Sequence, residues 1–241
     1  MKKIFDYYIS AHDTDYFRFV APASYLKIAE TACFAAAEQM GIHMQQMIDE
    51  LDATWMTASV HLEVCKDIYT VGKIEVYAEP LVVNGLLITE RLCIFRDGEL
   101  IAKCDINTLS VNYKTRKVIR PEVVMEHFHV PVIQGEGAFP RLVMPEEMKH
   151  VDSVHVRYSD CDHNQHLRAC NYTSYVCDVT GYWAGHKPRK TRHLYMEYLG
   201  ECRVGEGLAL YMADGPEGKY VKGVRSDGRE SFKAYFITES F

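Results

Sequence analysis

The chain has 241 residues, of which 48% are hydrophobic and 25% are charged, so it can bury one large core or two of ordinary size. Its net charge of −6 disfavours nucleic-acid binding, which a basic surface normally supports. No segment approaches the roughly 20 apolar residues that cross a bilayer, and the N-terminal residues lack the apolar run of a signal peptide. We therefore expect a cytoplasmic protein without stable membrane insertion, whose eight cysteines are reduced.

The first half of the chain predicts a long helix followed by antiparallel strands. Apolar residues recur at helical spacing over 24–40, with Ser24 as a candidate N-cap and Gly41 as a C-terminal stop. A shorter helix is predicted over 43–51. Alternating apolar and polar residues predict strands at 56–64, 74–78, 86–95 and 100–113. Asp97-Gly98 separates the last two strands and is typical of a hairpin turn.

A proline-rich stretch then separates two halves of similar organisation. It contains Pro121, Pro131, Pro140 and Pro145 and is predicted to connect two domains. The predicted boundaries are an N-terminal domain over 1–128, a linker over 129–152 and a C-terminal domain over 153–241. In the second half we predict a strand at 155–160, a helix at 168–183, and strands at 194–198, 208–212, 219–224 and 232–237.

Each half carries a related segment ahead of its long helix. The segment Asp13-Thr-Asp-Tyr-Phe-Arg-Phe19 corresponds to Asp160-Cys-Asp-His-Asn-Gln-His166, and a tyrosine follows each at the same offset. Asn164 and His166 therefore replace Phe17 and Phe19 of the first copy. Aligning Val71-Gly72 with Val204-Gly205 also places Glu201 against Ile68. A polar copy and an apolar copy predict one working site and one apolar counterpart.

One long helix wrapped by an antiparallel sheet is the hotdog fold. The repeated order therefore predicts an α+β protein of two fused hotdog domains. Fusion allows the two sheets to join edge to edge, which protects strands that would otherwise be open to pairing. Both helices would then lie on the concave side. Because fusion already supplies this pairing, a monomer is feasible, and a homodimer stays open.

The polar segment of the second half can carry catalysis. Asp162, Asn164 and His166 are spaced by two, so extended chain places their side chains on one face. Histidine moves protons near neutral pH, asparagine can orient a carbonyl or water, and a carboxylate can hold an imidazole. The predicted helix begins just after His166, and its amides could stabilise an oxyanion. The alternative is a solvated turn with a capping histidine.

Three segments resemble those of the acyl-acyl carrier protein thioesterases, which are tandem-hotdog enzymes. The segment from Asp160 to His166 is similar to the family's DxDxNxH, and Glu197-Tyr-Leu-Gly-Glu-Cys202 to its EYxxEC. In the first half, Asn112-Tyr-Lys-Thr-Arg116 resembles its NxKTR segment, and Trp55 lies where the family often has a tryptophan. The resemblance covers nearly the whole chain.

The resemblance implies hydrolysis of fatty acyl-acyl carrier protein to free fatty acid and carrier protein in fatty acid biosynthesis, with no cofactor and no metal. Acyl carrier protein is then the expected partner. Carried over by position, the catalytic residues are Asp162, Asn164, His166 and Glu201. Our preferred mechanism is attack by water, with Glu201 as general base or water positioner. His166 and Asn164 would orient the water and the thioester, and Asp162 would orient Asn164 or His166. Cys202 is the alternative, as a nucleophile beside histidine and asparagine.

Five further residues are candidates for substrate binding. Phe17, Phe19, Ile68 and Trp55 could line an apolar acyl pocket, or they could simply fill the core. Arg168 stands in a stretch where the family commonly has two asparagines, so it could bind a phosphate or carboxylate of the substrate or lie in solvent. The basic stretch 186–193 could aid docking of an acidic carrier protein or form a solvated loop.

Other functions remain open on the same fold. The substrate could be an acyl-coenzyme A thioester. A hotdog dehydratase also uses histidine with aspartate or glutamate, and a non-catalytic module could bind acyl thioesters. The last of these predicts loss of the polar residues from both halves, whereas the second half retains them.

Overall fold

The computed structural model describes residues 1–69, 71–135, 141–162, 164–181 and 189–240. The helices are α1 (Pro22–Gln39), α2 (Met44–Leu51), α3 (Pro121–His127) and α4 (Ala169–Val179). The strands of the first half are β1 (Lys2–Ile9), β2 (Ala53–Val64), β3 (Gly72–Ala78), β4 (Val82–Asn84), β5 (Leu87–Arg96), β6 (Glu99–Asn112) and β7 (Val118–Ile119). Those of the second half are β8 (Lys149–His155), β9 (Arg189–Tyr198), β10 (Gly207–Asp214), β11 (Gly218–Arg225) and β12 (Glu230–Ser240).

The strands form one continuous sheet in the order β1-β3-β5-β6-β2-β9-β12-β11-β10-β8, with β4 on β5 and β7 on β6. The two halves meet where β2 pairs antiparallel with β9, residues 59–63 opposite 193–197. The predicted edge-to-edge joining of two sheets is therefore confirmed. β2 and β9 are the edge strands of their own halves and lie at the centre of the joined sheet, so neither edge is left unpaired.

Both long helices cover the same face of this sheet. α1 and α4 contact each other, and Ile28 and Ala32 of α1 share one core with Tyr172 and Val176 of α4. The small side chains on α1 allow its backbone to approach the strands closely. No helix in the described part of the chain is long and apolar enough to span a membrane.

Alternation along β2 explains why one face is buried. Val60 and Leu62 are fully buried under the helices, while His61 between them points to the opposite, partly exposed face. The hairpin between β5 and β6 turns at Asp97 and Gly98, both with positive φ, as predicted.

A second, smaller core lies at one end of the first half. It contains Met47 of α2 and Val124 and Met125 of α3, and Trp55 packs against it. α3 falls within the proline-rich stretch that we predicted to be a connection, and Pro121 begins it at the first helical position.

Two further predictions are corrected by the structure. Ser24 is not the N-cap of α1, because the helix starts at Pro22 and Ala21 occupies the cap position without a side-chain bond. The strand predicted at 155–160 is wrong: β8 ends at His155, and Tyr158–Asp160 forms a 3-10 turn. The Asp160 carboxylate accepts a hydrogen bond from the Arg157 amide at 2.8 Å, which closes that turn. The predicted end of α4 at Trp183 lies outside the described residues.

One carboxyl lies on the buried face of the sheet. Glu90 of β5 is 6% exposed, and Leu92 and Ile94 on the same face of that strand are fully buried. Burial raises the pKa of Glu90 to about 7. In the native protein this side chain therefore retains its proton at pH values where it would ionise in the unfolded chain.

We predict that the protein loses stability as the pH rises from about 5 to about 8, because only the native state keeps the Glu90 proton. Glu90→Gln lacks this contribution. Its free energy of unfolding, relative to that of the wild type, should therefore rise by about 3 kcal/mol between these two pH values. Denaturant unfolding at both pH values measures the difference. The same difference in free energy of unfolding between the two proteins at both pH values would contradict the prediction.

Candidate active site

The polar segment of the second half forms a compact loop ahead of α4. The Asp162 Oδ1 accepts a hydrogen bond from the Asn164 amide at 2.8 Å, and its Oδ2 lies 3.3 Å from Asn164 Nδ2. The Asp162 amide donates to the His166 carbonyl at 3.1 Å. Gln165 has φ of +68°, which closes the loop. Asp162 therefore orients Asn164 directly and fixes the backbone of His166.

The first half folds its related segment in the same way. The Asp15 Oδ1 accepts hydrogen bonds from the amides of Phe17 at 2.9 Å and Phe19 at 3.0 Å, and the Asp15 amide donates to the Phe19 carbonyl. Arg18 has φ of +71°, which matches Gln165. The backbone of the loop is thus duplicated, and only the side chains that it presents differ.

The fold brings Glu201 to His166. Glu201 follows β9, and the backbone of its neighbour Cys202 accepts a hydrogen bond from the Leu167 amide at 2.8 Å. His166 also forms a β-bridge with Arg203. These backbone contacts place His166 Nε2 3.9 Å from Glu201 Oε1, with both side chains mostly buried.

The carboxylate of Glu201 keeps an unused acceptor. Its Oε1 is buried and has no hydrogen-bond partner among the residues that the structure describes. Arg116 Nε lies 3.7 Å from the same oxygen, on the side provided by the first half of the chain. Both distances exceed a direct hydrogen bond. A buried carboxylate held near two nitrogen groups can accept a proton from a small molecule placed between them.

Arg116 is a site residue that the sequence reasoning missed. We identified its segment as family-like but gave the arginine no role. The Asn112 Oδ1 accepts hydrogen bonds from the amides of Lys114 and Thr115 and so folds a tight turn. Arg116 completes this turn with φ of +58°, and its guanidinium lies 5.6 Å from the centre of the Tyr113 ring. The NxKTR-like spacing was the available signal.

The counterpart of Glu201 in the first half is Asp67, which corrects our pairing of Glu201 with Ile68. In each half, the amide after the loop donates to a carbonyl in the segment that faces it. The pairs are Val20 N with Ile68 O at 2.9 Å and Leu167 N with Cys202 O at 2.8 Å. Ile68 therefore matches Cys202, and the acid stands one position earlier in both halves. The Val-Gly alignment was out of register by one residue.

The two acids have different surroundings. Asp67 forms a bidentate ion pair with Arg192, at 3.1 and 3.2 Å, and Lys190 Nζ lies 3.4 Å away. Its charge is therefore neutralised, whereas Glu201 retains a free oxygen. Residues 189–193, part of the stretch that we predicted to be a docking surface or a solvated loop, belong to β9. Positions 182–188 lie outside the described residues.

Cys202 has the environment of a structural cysteine. Its side chain is fully buried, and Sγ lies 3.2 Å from the Ser231 hydroxyl. Burial raises the pKa of the Cys202 thiol. A nucleophilic cysteine needs a stabilised thiolate, and this site favours the neutral thiol.

Two apolar candidates of the first half, Phe19 and Ile68, lie beside Asp67, the counterpart of Glu201. Phe19 and Ile68 are buried and line a cavity of about 10 Å³ beside Asp67, which has room for about one water molecule. Phe17 is half-buried and packs edge-to-face on Tyr16. Their role in acyl binding stays a prediction.

The side-chain hydrogen bonds of Trp55 and Arg168, the two other candidates, involve neither His166 nor Glu201. Trp55 Nε1 donates to the Ser110 hydroxyl at 3.0 Å beside the second core. Arg168 is exposed, and its Nη1 donates to the Ser159 carbonyl at 2.9 Å. Their role in substrate binding also stays a prediction.

The chain is similar to known proteins in sequence over part of its length and in structure over almost all of it. Residues 144–234 match the family model of the acyl-ACP thioesterase C-terminal domain, a segment that includes Asp162, Asn164, His166 and Glu201 but not Arg116. No curated protein matches the chain by sequence.

Solved structures match over almost the full length. An acyl-ACP thioesterase from Bacteroides thetaiotaomicron superposes with a TM-score of 0.79 at 17% identity, covering 98% of this chain and 96% of that one. The 12:0-ACP thioesterase from Umbellularia californica gives 0.83 at 15% identity, covering 98% and 96%. A MaoC-like dehydratase from Phytophthora capsici gives 0.57 at 11% identity, covering 77% and 69%. The predicted tandem hotdog fold is confirmed, and so is the resemblance to the acyl-ACP thioesterases.

Because Asp67 and Glu201 have different surroundings, we predict that their amide substitutions have different effects on the free energy of unfolding. Asp67→Asn removes the carboxylate that pairs with Lys190 and, through two bonds, with Arg192. Arg192 keeps its ion pair with Glu239, and we expect a loss of about 2 kcal/mol in the free energy of unfolding. Glu201→Gln removes a charge whose Oε1 has no hydrogen bond in the described structure, so its effect should stay within about 0.5 kcal/mol or be stabilising.

Chemical denaturation of both variants measures these effects. Asp97→Asn is the matched control, because the Asp97 side chain is 94% exposed. Equal losses for Asp67→Asn and Glu201→Gln would show that the two acids are held alike.

Proposed function

We propose that this protein is a thioesterase that hydrolyses fatty acyl-acyl carrier protein to free fatty acid and carrier protein, in fatty acid biosynthesis. The observation that carries the proposal is the buried Glu201 oxygen, which has no hydrogen bond within the described residues and faces His166 at 3.9 Å and Arg116 at 3.7 Å. The family match over 144–234 supports the same chemistry, and the carrier protein as partner comes from that family.

In the first step, Glu201 acts as general base on a water molecule. The carboxylate takes one proton while the water oxygen bonds to the thioester carbonyl carbon, and the carbonyl π electrons move to oxygen. His166 and Arg116 flank Glu201, so they orient the water and carboxylate and balance the negative charge before the proton is transferred. The product is a tetrahedral oxyanion.

In the second step, the oxyanion collapses and the carbon–sulfur bond breaks. The leaving sulfur takes the bond electrons and receives a proton from Glu201, which restores the carboxylate. The products are a carboxylic acid and a thiol, and the protein ends the cycle unchanged. No covalent intermediate with the protein is needed.

The loop residues position the thioester. Asn164 is held by Asp162 through its amide nitrogen and side chain, so it can present a fixed polar group to the carbonyl. The first amides of α4, which begins at Ala169, lie at the end of the same loop and supply partial positive charge for the oxyanion. Preorganised dipoles of this kind stabilise charge without rearrangement during the reaction.

We predict that His166→Ala and Glu201→Gln each lower kcat/KM for thioester hydrolysis by at least about 100-fold, because each removes a group needed to move or orient a proton. Thiol release from acyl carrier protein thioesters and from matched coenzyme A thioesters measures this, and the ratio of the two rates identifies the carrier. Asp97→Asn, at an exposed turn, should retain wild-type turnover.

Absence of thiol release from every thioester would reject the hydrolase. Addition or loss of water within the acyl chain, with the thioester intact, would then indicate a dehydratase. Binding without either reaction would indicate a non-catalytic module.

We predict that Cys202→Ala retains kcat within about threefold of the wild type, because the buried thiol plays no covalent role in water attack. The loss of packing should appear as reduced stability of about 1 kcal/mol. Mass spectrometry during turnover should show no acyl adduct on the protein. An acyl-enzyme that disappears in Cys202→Ala would overturn the mechanism.

A further inference from the structure

The interior of the first half contains acidic groups that the proposed mechanism does not use. Glu30 lies on α1, and Cys33 follows one helical turn later, so the two side chains lie on adjacent turns of the same side of the helix. Glu90 projects from β5 onto the face of the sheet that α1 covers, beside Leu92 and Ile94. A carboxyl group therefore faces α1 from the sheet within an otherwise apolar region.

This row of polar groups begins beside the proposed catalytic loop. Burial, followed by the negative charge of Asp162, raises the pKa of Glu30 to about 7. The charge of Glu30 in turn acts on Cys33 and on Cys104 of β6. Glu30 is thus close enough to Asp162 of that loop for the two charges to interact. The proposed function places the acyl chain in the first half, whose core contains the same-face strand neighbours of Glu90.

Glu90 is incompletely satisfied in its buried position. The side chain is 6% exposed, yet its Oε1 has no hydrogen-bond partner in the described ranges. Its strand neighbours on the same face, Leu92 and Ile94, are fully buried and apolar. Buried polar atoms are normally paired, so an unpaired oxygen in such surroundings points to a partner that binds there.

We propose that Glu90 is a specificity-determining residue of the acyl site, whose free oxygen hydrogen-bonds a hydroxyl group on the acyl chain, away from the thioester carbonyl. The preferred substrates are then hydroxylated fatty acyl thioesters. This inference rests on the proposed thioesterase function and adds the chemical class of its acyl group.

The chemistry of the carboxyl favours a hydroxyl over other groups. A protonated carboxyl both donates and accepts a hydrogen bond, and a hydroxyl does the same, so the two can pair fully. Burial raises the pKa of Glu90 to about 7, so the protonated form is well populated near neutral pH. An unsubstituted chain would leave the carboxyl without this partner, and sites built to bind a hydroxyl discriminate strongly against analogues that lack it.

The test compares kcat/KM for three carrier-protein thioesters of equal chain length: one unsubstituted, one with a hydroxyl in mid-chain and one with a terminal hydroxyl. The wild type should prefer at least one hydroxylated chain by about tenfold or more. Glu90→Leu should abolish or reverse that preference while retaining turnover of the unsubstituted chain. Glu90→Gln keeps a donor and an acceptor and should retain part of the preference.

Glu99→Gln is the matched control, because its side chain is 62% exposed at the start of β6 and should leave the ratio unchanged. A merely structural role for Glu90 would lower turnover of all three substrates equally. That outcome, or a wild type that prefers the unsubstituted chain to both hydroxylated ones, would overturn the inference but leave the thioesterase intact. Thiol release from none of the three would overturn both. If Glu90→Leu does not fold, the wild-type ratio and Glu90→Gln decide.

Discussion

The antiparallel pairing of β2 with β9 is the constraint on which the rest of the structure depends. Those strands carry Val60 and Leu62 on one side of the junction and Leu194 and Met196 on the other, all fully buried on the same face. Because the pleat alternates, this register commits both halves to bury one common face. The helices α1 and α4 must therefore lie side by side. The segment that follows β6 in the first half then lies close to the segment that follows β9 in the second. Arg116 can reach Glu201 only because of that arrangement.

Two acids at equivalent positions show how the two halves of one fold can give acidic residues different surroundings. Asp67 and Glu201 occupy matching positions, yet cations from β9 saturate Asp67, and Glu201 keeps an unpaired oxygen. Residues that differ in the matching loops, Phe19 and His166, reinforce the contrast. Both Asp67 oxygens accept hydrogen bonds from Arg192, whereas the Glu201 Oε1 has none among the described residues and can accept one from a water molecule. The second half therefore keeps the acid that we propose as general base, and the first half gains an ion pair with β9 of the second half.

The unsatisfied carboxyls have a physical cost that a purely structural role would not explain. Glu201 and Glu90 each bury an oxygen with no hydrogen bond in the part of the chain described, and such atoms lower stability unless something binds them. Both lie near the path proposed for the substrate, one at the thioester and one along the acyl chain. Stability given up at a functional site is common, because the groups needed for chemistry are rarely those that pack best.

The sequence by itself determined the local features. Alternating residues predicted most strands, and helical periodicity predicted α1 and the first part of α4. The repeated motif singled out Asp162, Asn164 and His166, but they lie on a tight turn and not on the extended chain that we predicted. The sequence did not reveal that Asp67 rather than Ile68 matches Glu201, that Arg116 enters the site, or that Tyr158–Asp160 forms a turn. Local patterns depend on neighbouring residues and are visible along the chain. Register and contacts between distant segments depend on packing, where a shift of one residue changes which side chains meet, so only the tertiary structure decided them.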